Sequence, residues 1–176
     1  LVLCLDAGVQ GKSVSPDLLK ATAVLPKQVS CAEIAWQGGL MITAIDHIVL
    51  TSADVDKTIA FYCDVLGMEL QTFSPPDGSA PRRALCFGHQ KINIHDGAAP
   101  YVPHARNPVS GAVDICLLSD HPVADWQRRF ADHGIAVEHG PVAKTGSMGP
   151  LWSVYVRDPD GNLIEISNQL DTAGEG

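Results

Sequence analysis

Apolar and polar positions alternate in a short run, then fall into three-and-four spacing, and this succession of patterns occurs twice. Asp46-His47-Ile48-Val49-Leu50-Thr51-Ser52 reads as a β-branched strand. Val55, Ile59, Tyr62 and Leu66 follow at helical spacing and mark one face of an amphipathic helix. Gly67 stands where a left-handed C-cap is wanted. Three strands are then predicted, at about 68–73, 83–87 and 90–95, the last two joined by a tight turn at Gly88-His89. The second copy opens on Val113-Asp114-Ile115-Cys116-Leu117-Leu118-Ser119, continues into a helix carrying Val123, Trp126 and Phe130, and closes it at Gly134. Its strands are predicted at about 135–139, 151–157 and 162–168, with a turn at Asp158-Pro159-Asp160-Gly161, where Pro fixes φ and Gly accepts a positive φ.

An offset of 67 residues carries Ile48 onto Ile115, Leu50 onto Leu117, Ser52 onto Ser119 and Gly67 onto Gly134. The fold class expected is α+β: two pseudo-symmetric βαβββ modules, about 42–97 and 111–168, within one domain at 41–170. Their sheets are expected to form an open half-barrel whose concave face is available to a ligand. Residues 1–40 lack this patterning and are read as an appended segment of unknown role, with Met41 as a natural start and 171–176 as a tail.

Composition removes several function classes. The 12 Lys and Arg against 20 Asp and Glu give a net charge of −8, which repels phosphate backbones and anionic lipid, so neither nucleic acid nor membrane is expected as a partner. No apolar run approaches the roughly 20 residues of a membrane helix. Cys4, Cys31, Cys63, Cys86 and Cys116 are an odd set without a CxxC pair, which favours reduced thiols and a cytoplasmic setting. The apolar start, Leu1 to Leu5, is too short for a secretory signal.

Polar residues inside otherwise apolar strands then become the candidates for chemistry. His47, His95, Asp114 and Glu165 each interrupt or border such a strand. The repeat pairs His47 with Asp114 at an offset of 67, and His95 with Glu165 at an offset of 70 once three loop residues are allowed for. A Glu in a buried strand is costly without cationic compensation. A divalent ion ligated by imidazole and carboxylate supplies that compensation, and the mixed set suits Fe, Mn, Ni, Co or Zn. Structural alternatives stand beside this: a hydrogen-bonded strand His, Asp114 at a strand entry, or Glu165 paired with Arg82, Arg83 or Lys91.

Asp46-His47-Ile48-Val49-Leu50, Ile59-Ala60-Phe61-Tyr62-Cys63-Asp64-Val65-Leu66-Gly67-Met68 and Tyr155-Val156-Arg157-Asp158-Pro159-Asp160-Gly161-Asn162-Leu163-Ile164-Glu165 resemble the vicinal oxygen chelate superfamily. That superfamily holds glyoxalase I, extradiol dioxygenases, fosfomycin-modifying enzymes and bleomycin-resistance proteins. The resemblance spans about 42–168 and is nearest to glyoxalase-domain-containing, virulence-associated proteins. It implies paired βαβββ modules and a divalent metal chelating two adjacent substrate oxygens. His47 matches the first-strand ligand and Glu165 the last-strand ligand. His95 falls where a Glu is usual and Asp114 where a His is usual.

The function expected from this is a metal-dependent, glyoxalase-type lyase or isomerase acting on a small substrate with vicinal oxygens. Glu165 or Asp114 would move the proton. An iron-dependent extradiol dioxygenase and a non-catalytic drug-binding module are the alternatives. Gly146, Ser147 and Met148 occupy the positions where the dioxygenase pattern has an upstream His, which weighs against ring cleavage. Arg82, Arg83, His104 and Arg106 are candidates to orient an anionic tail or are ordinary solvated charge, and Tyr155 is a further substrate-contact candidate. Residues 145–150 are read as a glycine-rich, mobile lip of the cup. The apolar stripe Ile59, Phe61, Tyr62 and Val65 is wider than one core face needs, and a homodimer with exchanged modules is expected.

Overall fold

The computed structural model describes residue 42 and residues 44–170; the appended segment, Met41 and the tail lie outside them. Four strands, β1 (His47–Ser52), β2 (Glu69–Phe73), β3 (Arg82–Phe87) and β4 (Gln90–Asp96), form one sheet in the order β1-β4-β3-β2. Four more, β5 (Asp114–Leu118), β6 (His139–Gly146), β7 (Gly149–Arg157) and β8 (Leu163–Gln169), form a second in the order β5-β8-β7-β6. The outer pairs β1·β4 and β5·β8 are parallel and the rest antiparallel, so each module is a βαβββ unit.

Helix α1 (Val55–Ala60) starts at Asp54, whose carboxylate accepts from the Lys57 amide at 3.2 Å. It continues as a π-helical turn, Phe61–Val65. Helix α2 (Val123–Asp132) has Pro122 at its N-cap, so the capping comes from elsewhere: the Asn168 side chain on β8 accepts from the Val123 amide at 2.8 Å. Gly67 and Gly134, at φ +76° and +68°, close the two helices in the left-handed region as the pattern predicts.

One strand falls elsewhere than its pattern suggests. Residues 135–138 are not extended in a ladder; Ile135 and Val137 pack on the core, and β6 begins at His139. Thr145-Gly146 and Gly149-Pro150, read as a mobile lip, pair with each other at the tip of the β6–β7 hairpin. Ladder bonds to β7 define this hairpin, and β6 itself offers almost no apolar alternation.

The two sheets share no ladder with each other but share a core. Leu50, Leu85, Ile92 and Ile94 of the first sheet, Val154, Val156, Ile164 and Ile166 of the second, and Phe61, Tyr62, Val65 and Phe130 of the helical layer form one buried cluster. Each fully buried side chain of this size contributes about 1.5–3 kcal/mol. The wide stripe on the first helix is therefore covered within the chain, by the opposite module, and does not itself mark a subunit contact. Tyr62 ties the modules together, donating from its hydroxyl to the Asp158 carboxylate at 3.1 Å. Asp158 also accepts from the Asn162 side chain at 2.8 Å and from the Asn162 and Asp160 amides at 2.9 and 3.0 Å. Tyr62→Phe removes the only bond in this set that crosses modules and is expected to cost about 1.5–3 kcal/mol in urea unfolding. A loss under about 0.5 kcal/mol, the scale of a neutral surface change, would contradict this role. Among the described residues no helix is long and apolar enough to cross a membrane.

Candidate functional site

Alternation along each strand decides which side chains leave the core. In β1, Ile48 and Leu50 enter it, so His47, Val49 and Thr51 face outward. In β8, Ile164 and Ile166 enter it, so Glu165 and Ser167 face outward, beside Asp114 and Cys116 of β5. Because the inner faces of both sheets meet in one core, these outward faces point away from each other. No three His, Cys, Asp or Glu side chains come close enough to hold an ion among the described residues of one chain.

His47 is held by its neighbour: Asp46 Oδ1 lies 2.6 Å from His47 Nδ1. A carboxylate in this place keeps the proton on Nδ1 and leaves the Nε2 lone pair free to ligate. The His47 bond, ahead of other influences, holds the Asp46 carboxyl below the usual carboxylate range. On the second sheet, Glu165 Oε1 accepts from Ser167 Oγ at 3.1 Å, and Ser167 in turn contacts Ser153 Oγ at 2.8 Å and Cys116 Sγ at 3.3 Å. Asp114 and Glu165 lie on neighbouring strands two residues out of register, on the same face. Tyr155, directly across from Glu165 on β7, has its hydroxyl pushed up to about 12 by burial and then by the Glu165 carboxylate, so it stays a proton donor.

The register separates His95 from His47. His47 stands opposite Lys91, and His95 opposite Thr51 four residues further along, about 13 Å away at strand rise. The equivalence of His95 with Glu165 is thus corrected. Asn93 in Ile92-Asn93-Ile94 occupies the place that Glu165 holds in Ile164-Glu165-Ile166, at an offset of 72. The matching I-x-I triplets are the signal that a fixed offset overlooks. His95 instead lies buried under Tyr101, ring centroids 3.8 Å apart, its Nδ1 without a hydrogen-bond partner.

Burial first, then His104 and Arg82, hold the His95 imidazole below its ordinary value of 6.5. The unfolded chain takes up this proton more readily than the folded one, so the contribution to stability is complete above pH 6.5 and declines as pH falls toward the folded value. Urea unfolding at pH 7.5 and at a pH near 5.5 should show a smaller loss for His95→Phe than for the native chain. Equal losses would place the titration elsewhere. His104 and Arg106 lie on the exposed connection between modules; the His104 ring contacts its neighbour's carbonyl, Ala105 O, at 2.7 Å.

Residues 44–166 match the Glyoxalase/Bleomycin resistance protein/Dioxygenase superfamily. The chain belongs to this superfamily. It is 44% identical over 131 residues to virulence protein STM3117 of Salmonella typhimurium, covering 74% of this chain and 88% of that protein. It is equally similar, 44% over 135 residues, to the glyoxalase domain-containing protein RDO1 of Mycosarcoma maydis, covering 77% of this chain and 73% of that one. The lactoylglutathione lyase of Agrobacterium tumefaciens aligns with a TM-score of 0.55 at 30% identity, covering 72% of this chain and 94% of that structure. The two βαβββ modules of this chain are those that the repeat in the sequence anticipates.

Proposed function

We propose that this superfamily member is a metal-dependent lyase or isomerase for a small substrate with vicinal oxygens. We infer a homodimer in which His47 of one copy meets Asp114 and Glu165 of the second. The observation that carries the reading is the Asp46–His47 pair: an exposed imidazole, fixed by a carboxylate with its second nitrogen free, on a sheet face that leads away from its own chain's Glu165. Val49 and Leu118 on the outward faces are 45% and 63% exposed, apolar surface that a second copy would cover.

The donor set of one imidazole and two carboxylates suits Fe, Mn, Ni, Co or Zn. Such an ion, when bound, polarises the substrate's adjacent oxygens. The chain's own residues do the rest. Asp46 keeps the His47 ring in one tautomer. Glu165, oriented by Ser167, takes a proton from the carbon beside the carbonyl and returns it to the neighbouring carbon, with Asp114 beside it as a second carboxylate. Tyr155 stays protonated and donates to a substrate oxygen. Asn93, where a fourth-strand carboxylate would stand, cannot share in proton transfer. The setting we infer is the cytoplasm, with Cys63, Cys86 and Cys116 as free thiols.

Metal analysis after loading with each of the five ions, with parallel assays of hemithioacetal isomerisation and of O₂ uptake with catechol, tests this reading. About one ion per chain, with isomerisation abolished by chelation and no O₂ consumed, is expected. O₂ uptake with ring cleavage would replace it with the dioxygenase. A chain that takes up no ion would be a binding module of the same fold.

A further inference from the structure

The outward face of the first sheet holds a cavity of about 240 Å³ whose walls include Arg82, Lys91, Gln71, Asn93, Phe73 and Tyr101. We propose that it is a carboxylate subsite, taking the anionic end of a small aromatic carboxylate between Arg82 and Lys91. This deepens the reading above by naming the substrate class, and rests on it for the place of the reacting end.

The chain carries a net −8, yet this cavity is lined by cations and amides and by no acidic side chain. Most other cations of the described residues are engaged: Arg83 with Asp56, Arg157 with Glu138, Lys57 with Asp54, Arg128 with Asp125, and Arg129 with the Asp64 and Val65 carbonyls. Arg82 and Lys91 form no ion pair with any described residue, and Asp46, whose carboxylate feels the Lys91 charge, is hydrogen-bonded to His47.

The Arg82 guanidinium lies 4.2 Å over the Tyr101 ring, a contact that fixes its plane and consumes none of its N–H donors. A half-buried, pre-oriented fork without an acceptor suits a carboxylate, which it can meet with two parallel bonds. Tyr101 is itself held in place from below by the buried His95 ring, centroids 3.8 Å apart, so the surface that orients Arg82 is fixed.

The volume lies below the usual range for drug-sized ligands, so the occupant is small. Phe73 and Tyr101 offer aromatic walls, and Gln71 and Asn93 offer amide hydrogen bonds. Lys91 is directly across from His47, so the subsite adjoins the reacting end.

The test is calorimetric titration of the full chain with benzoate and with neutral benzamide, before and after metal removal by chelation. Saturable benzoate binding that survives chelation is expected, with benzamide at least about tenfold weaker. Arg82→Gln and Lys91→Gln should each weaken benzoate about tenfold, Arg82→Lys should weaken it less than Arg82→Gln, and Lys57→Gln should leave it unchanged. Circular dichroism confirms that each variant is folded, and loss at Lys91→Gln supports the proposal even if Arg82→Gln unfolds. Equal binding of benzamide, or benzoate binding indifferent to both Arg82 and Lys91, overturns it. Benzoate binding that needs metal and ignores both cations overturns the subsite and leaves the metal centre standing. Binding that tracks Arg82 and Lys91 in a chain that takes up no metal sustains the subsite while the metal-dependent reading fails.

Discussion

Glu165→Gln is expected to lower divalent-metal affinity by about a hundredfold or more, beyond the 10–100-fold that loss of a supporting partner typically costs. Glutamine keeps the shape and an acceptor oxygen, so the Ser167 bond survives in form, but the negative charge is gone. Glu165 faces outward and contributes nothing to the buried cluster, so the thermal transition of the metal-free chain should move little. Competition against a chromogenic chelator reads the affinity directly. Binding within a factor of about three of the native chain, well inside the loss expected even for a supporting residue, would remove Glu165 from the site.

Asp46→Ala should act one step further out. The alanine variant frees the His47 ring to rotate and to change tautomer, and a loss of about 10–100-fold in metal affinity follows. Asp46 is exposed and among the described residues bonds to His47 alone, so the thermal transition should move little. The same chelator competition measures it. An unchanged constant would mean that the Asp46–His47 pair is a surface contact with no bearing on ligation.

The elements that were legible in the sequence are those set by local physics. Ile48 and Leu50 alternate, Val55, Ile59 and Tyr62 recur at helical spacing, and Gly67, Gly134 and Gly161 stand where φ must be positive. The repeat of these signals carried the two-module fold. β6 was not legible because Val142 is its one large apolar residue, and its extension depends on the ladder to β7. The stronger alternation at Ile135-Ala136-Val137 belongs instead to the chain leaving α2 and packing on the core.

The candidate site was half legible. His47, Asp114 and Glu165 lie on outward strand faces, and period two in an apolar run is enough to say so. The place of His95 was not, because loops of different length lie before β4 and β8 and a constant offset does not survive them. Hydrogen-bond register, with Lys91 and Thr51 as the markers, is what separates His95 from His47. Which chain covers a face is likewise invisible to periodicity: Phe61, Tyr62 and Val65, a stripe wide enough to suggest a second copy, are buried in the core that the chain's own two modules share.

A metal centre that forms between two copies is tested most directly by mixing two defective variants. His47→Ala retains Glu165, and Glu165→Ala retains His47, so each alone should hold almost no metal. Dissociated in mild denaturant, mixed in equal amounts and refolded, they should form mixed dimers with one intact centre each. With random pairing, about a quarter of the native metal content returns, and only in the mixture. If the mixture binds no more metal than the two variants apart, His47 and Glu165 do not meet across a subunit boundary.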